Sequence, residues 1–183
     1  LDFIIENQQE NGGWQTQWDT TTNPNTTAVM VQAITSLGQF PSEDNWQKSG
    51  GNPLTALLST QQENGVFGGE FGNAYSTADA IIGLSGRNIT SLGFVEGASK
   101  AFDYLFEIQG SNGGWGNVGQ TLDVMMALRA AGWQPNSVTI DNASPLDYIS
   151  ENLLPYVESG PDAIGKSMLG ITAAGLDPRD FNG

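Results

Sequence analysis

The seven letters QQENGGW at residues 8–14 return as QQENGVF at 61–67 and as QGSNGGW at 109–115. Each copy is a glutamine, an Asn-Gly step and a closing aromatic. Apolar segments begin at Leu1, Leu54, Phe102 and Leu146, spaced by 53, 48 and 44 residues. A period in that range marks an array of supersecondary units that bury their apolar faces only against neighbours. The chain is therefore read as one repeat domain over 1–183. Its repeats run approximately 1–53, 54–101, 102–145 and 146–183, the last a degenerate copy.

Each repeat divides into two segments. The first ends at the motif: FIIENQQ, LTALLSTQQ, FDYLFEIQ and LDYISENLL. The second ends near a glycine: TTAVMVQAITSLG, STADAIIGLSG, QTLDVMMALRAAG and AIGKSMLGITAAG. Apolar residues at i, i+3 and i+4, as in Leu122, Met125 and Met126, predict helices. Small residues crowd the second segments, which suits an inner layer of closely packed helices. Hydroxyls of Thr26 and Thr27, and of Ser76 and Thr77, are expected to cap the helix starts. Gly38, Gly132 and Gly175 are expected to stop the helices in left-handed geometry.

The motif itself reads as a structural clasp. An Asn-Gly step takes positive φ and ends the first helix in a tight turn. The aromatic folds back over the helix end, and the glutamine amide offers donor and acceptor to backbone groups left unpaired there. The clasp residues are Gln8, Gly12 and Trp14, then Gln61, Gly65 and Phe67, then Gln109, Gly113 and Trp115.

This pattern resembles the QW motif of the terpenoid cyclase and protein prenyltransferase superfamily. Phe3-Ile4 precedes Gln8, Gly12 and Trp14, and Tyr104-Leu105 precedes Gln109, Gly113 and Trp115. The second copy departs with Ala56-Leu57 and Phe67. In the fourth, Tyr148-Ile149 persists but Leu153 stands for the glutamine. The resemblance implies an all-α fold, an α/α toroid of outer and inner helices. About four pairs are present where a closed toroid takes about six, so a partial or open toroid is expected. In tone the chain is similar to bacterial cell-surface proteins with prenyltransferase-like repeats, and to vitamin-carrying toroids. Its start inside an apolar pattern suggests a piece of a longer protein.

Composition removes several chemistries. There is no Cys and no His, so thiolate nucleophiles, imidazole bases and the zinc ligands of prenyltransferases are missing. The net charge of −14 opposes nucleic acid and anionic membrane surfaces. No apolar run reaches the ~20 residues of a membrane-spanning helix, so no membrane insertion is expected. Few lysines beside much Asn, Gly, Thr and Gln point to an extracellular or cell-surface setting. Sequons stand at Asn25, Asn88 and Asn142. Where hopene-type cyclases carry an acid motif, this chain reads Asn23-Pro24-Asn25-Thr26-Thr27-Ala28, without a strong proton donor.

The remaining candidates are few. Asp79 and Asp123 occupy matching positions two residues after Thr77 and Thr121, as a carboxylate pair for glycan hydrolysis or as helix-start acids. Asp180 and Asn182 are candidate calcium ligands from a fragment of a calcium loop. Trp18, Trp46, Phe71 and Trp133 lie outside the clasps, as candidate ligand contacts or as junction packing. The leading expectation is a non-catalytic structural or binding module whose partners are a glycan or protein ligand and, through its open ends, a second copy or further repeats. The alternatives are a polysaccharide-active enzyme and a small-molecule carrier.

Overall fold

The computed structural model describes residues 1–85 and 92–181, with the backbone alone for 92–95. The sequon at Asn88 and the candidate ligand Asn182 lie outside the described residues. Among the described residues eight α-helices follow one another: α1 (Asp2–Glu6), α2 (Pro24–Ser36), α3 (Pro53–Leu58), α4 (Ala74–Leu84), α5 (Leu92–Glu107), α6 (Val118–Ala130), α7 (Pro145–Val157) and α8 (Pro161–Ala173). Among the described residues the only extended pairings are isolated bridges, so the fold is all-α, as the periodicity predicts.

Odd-numbered helices match the first segments and even-numbered helices the second. The first two odd helices are shorter than expected, five and six residues. Contacts group the chain into two compact units, Leu1–Tyr104 and Leu105–Gly183. In the first, α2 packs on α3 and α4; in the second, α6 packs on α7 and α8, which also touch. Second-segment helices thus lie side by side within each unit. Trp14, Ile34 and Trp46 centre one core cluster, while Val118, Leu122, Met125 and Ile149 centre another.

The helix starts correct the sequence reading. The capping side chains are not the Thr and Ser hydroxyls but Asn23, Asn73 and Asn117, which accept from Thr26 N, from Tyr75 and Ser76 N, and from Gln120 N. Asn is as strong a cap as Ser, and it stands one turn earlier. Ser76 joins a capping box by accepting from Asn73 N. The helix stops follow expectation, since Gly38, Gly132 and Gly175 have φ of 75°, 87° and 83°. Lacking a clasp, the fourth repeat turns directly from α7 through Gly160 into α8.

Candidate functional site

The three motifs close in the same way. The amide Nε2 of Gln8, Gln61 and Gln109 donates to the carbonyl of Gly12, Gly65 and Gly113 at 2.8, 3.0 and 2.9 Å. Those glycines have φ of 94°, 92° and 86°, the left-handed geometry the Asn-Gly step supplies. Asn11, Asn64 and Asn112 accept from the N–H two residues on, completing the turn. The indole N–H groups of Trp14 and Trp115 reach back to Ile4 O at 2.9 Å and Leu105 O at 2.6 Å. Phe67, which has no such donor, is simply buried.

Two contacts tie each clasp to its surroundings, and neither was read from the sequence. The backbone N–H of Trp14, Phe67 and Trp115 donates to the hydroxyl of Thr27, Thr77 and Thr121 at 3.0, 3.1 and 2.9 Å. Each of these threonines lies four residues past its capping asparagine, so the repeated N-x-x-x-T spacing was the available signal. The motif glycine, in turn, leaves no room for a side chain. A Cβ on Gly12, Gly65 or Gly113 would collide with backbone of Asn52, Lys100 or Ser144, each two residues before the apolar start of the next repeat. Gln8 and Gln61 also donate forward, to Trp46 O at 2.8 Å and Gly97 O at 2.7 Å. The clasp therefore joins the two helices of its own repeat and seats the next repeat.

With the glutamine amide nitrogens and the indole N–H groups engaged inside the scaffold, and Gln8 Oε1 buried though without a hydrogen-bond partner among the described residues, the clasps by themselves form no open site. The first unit offers a surface groove instead, seen as two adjoining cavities of about 490 and 290 Å³ that share Thr21, Thr22, Pro24, Gly68 and Phe71. Thr60, Gln62 and Glu70 extend one end, and Asp19, Asn25 and Asn73 the other. Phe71 is 82% exposed at its rim. Asp19 organises the wall: its carboxylate accepts from Thr16 Oγ1 at 2.7 Å and Asn23 Nδ2 at 2.9 Å. The bond from Thr16, with help from Asn23, holds the Asp19 carboxyl below its ordinary range. Phe71 was singled out in the sequence as a binding candidate, Asn25 only as a sequon and Gln61, which also lines the groove, only as a clasp residue, because threonines and amides in a loop carry no spacing signal.

The other candidates separate clearly. Trp46 is not a loop-borne ligand contact. It is fully buried, packs edge-on against Trp14 at 6.2 Å, and donates its indole N–H to Gln39 Oε1 at 3.2 Å. Trp133 is half exposed and tilted over Phe106 at 5.6 Å. Trp18 is 85% exposed. Asp79 is buried in α4, in the first unit. Asp123 is buried in α6, in the second, where Lys166 of α8 pairs with it at 2.9 Å. Burial raises the Asp123 carboxyl above its ordinary range, and Lys166 pulls the other way. Asp180 sits in the final turn, where neighbouring Asp177 is held by Arg179. Among the described residues no three His, Cys, Asp or Glu side chains are grouped to hold a metal ion. Nor is any described helix long and apolar enough to cross a membrane.

Comparison with protein-family models, curated proteins and solved structures finds no match. The likeness to the terpenoid cyclase superfamily rests on the motif residues themselves.

Proposed function

We propose that this chain is a non-catalytic repeat module of the α/α-toroid type that binds a neutral glycan in the groove beside Phe71, as part of an extracellular or cell-surface protein. The observation that carries the reading is the groove's composition: hydroxyls and amides along its walls with one exposed aromatic face at its rim. A sugar ring presents C–H faces that stack on an aromatic and hydroxyls that pair with amides and threonines. The net charge of −14 and the acids Asp19 and Glu70 select against anionic ligands. Side-by-side packing of second-segment helices within each unit supports an inner helical layer of toroid type.

The alternatives draw less support. Glycan cleavage through Asp79 and Asp123 asks for an available acid, and Lys166 engages the Asp123 carboxylate. A carrier asks for a deep apolar cavity, whereas the groove is lined by hydroxyls and amides.

The test is titration of the chain with neutral oligosaccharides, followed by calorimetry and by NMR shifts of the groove threonines. Phe71→Ala is expected to weaken binding roughly tenfold or more, the loss of about 1.4 kcal/mol or more that an aromatic anchor carries, without changing the melting temperature. Absence of binding across neutral glycans, or equal binding by the variant, overturns the reading.

A further inference from the structure

Counted from their cap residues Asn23, Asn73, Asn117 and Gly160, the second-segment helices share one register. In the first unit α4 lies on α2 with Gly83, ten past its cap, against Ala28, five past the cap of α2; an added Cβ would stand 3.3 Å from Ala28 O. In the second unit α8 repeats that contact with the same two positions, Gly170 against Leu122. Within each unit the contact is the same, the leading face of α2 or α6 receiving the trailing face of α4 or α8.

Among the described residues the leading face of α8 and the trailing face of α2 are bare. Along the leading faces of α2 and α6, Val31 and Met125 are fully buried, but the matching Met168 of α8 is 50% exposed. A Cβ on Gly165 would meet nothing within 4 Å, whereas the matching Ala28 and Leu122 are fully buried, and Ile164 beside it is 47% exposed. Along the trailing faces, Asp79 and Gly83 of α4 are buried, but the matching Val29 and Ala33 of α2 are exposed, with Leu37 beyond them 62% exposed. These two surfaces are the missing halves of a contact the chain already makes twice. They also fit chemically, since Ala33 falls opposite Gly165, small on small, and Val29, Leu37, Ile164 and Met168 beside them are apolar.

We propose that a second copy of this chain docks the trailing face of its α2 onto the leading face of α8, reproducing between molecules the α2–α4 and α6–α8 contacts. The surfaces differ, so the contact is heterologous and copies add head to tail. Association opposes the charge of −14 on each chain, so salt promotes it. This inference rests on the repeat-module reading and is independent of the glycan groove.

Sedimentation of the full chain over a concentration series tests it, with Ala33→Glu and Met168→Glu as variants at exposed positions. The wild-type mass is expected to climb in multiples of one chain, more readily at higher salt, while each variant alone stays a single chain with unchanged circular dichroism. Mixing the two variants is the decisive arm. Each retains the face the other lacks, so an equimolar mixture forms a capped two-chain species, which a misfolded variant cannot do. A wild-type chain that stays single at every concentration, an Ala33→Glu variant that still self-associates, or a mixture that stays single overturns the proposal. Loss of glycan binding with assembly intact refutes the groove alone.

Discussion

At the scale of single residues, the motif glycines are held by two separate constraints, and the chain contains a control that separates them. Gly65 combines φ of 92° with backbone of Lys100 where a Cβ would go. Gly38 has φ of 75° but open space around it. Gly38→Ala is therefore expected to cost roughly 1 kcal/mol, the left-handed penalty alone. Gly65→Ala adds a collision with rigid backbone and is expected to cost about 3 kcal/mol. Urea unfolding of both variants checks the pair, and equal losses would remove the close approach from the account. The sequence announced the positive φ, because Asn-Gly is a local signal. It did not announce the approach to Lys100, because that neighbour lies beyond the repeat's second segment.

At the scale of helices, the repeat length and the two-segment pattern were legible because apolar periodicity is written along each helix. The caps were misassigned by one turn, since Asn, Ser and Thr are near-equal cap formers and the stretches from Asn23 to Thr27 and Asn73 to Thr77 hold several of them. The joint between α6 and α8 was not legible at all. Lys166 is one of only 6 basic residues, and it takes the register position held by Asp79 and Asp123 in earlier helices. The structure joins it to Asp123 across the helix pair. Lys166→Met leaves the carboxylate of Asp123 buried without its cation and is expected to destabilise the chain by about 3 kcal/mol near neutral pH. The sign of the pH dependence follows from burial. Asp123 titrates above its unfolded value, so protonation favours the folded state, and that contribution is lost as pH rises through the folded pKa. The deficit of the variant should accordingly shrink as the pH is lowered from neutrality. A deficit that is constant or grows on acidification would mean that the ion pair is incidental.

At the scale of the whole molecule, one device recurs along the chain. A glutamine closes a turn, an aromatic fills the corner, and a threonine of the following helix takes the aromatic's backbone N–H. The all-α class followed from the apolar periodicity of the sequence. The groove did not, because it sets motif residues such as Asn11 and Gln61 beside loop residues such as Thr21 and Glu70 that share no period. The most direct measurement is amide hydrogen exchange at Trp14, Phe67 and Trp115, with Thr27→Val, Thr77→Val and Thr121→Val. All three amides should exchange slowly in the wild type, and each substitution should accelerate its own clasp while leaving the other two protected. Exchange at any of the three close to the rate of an unstructured chain, or no response to removal of its threonine hydroxyl, would contradict the account.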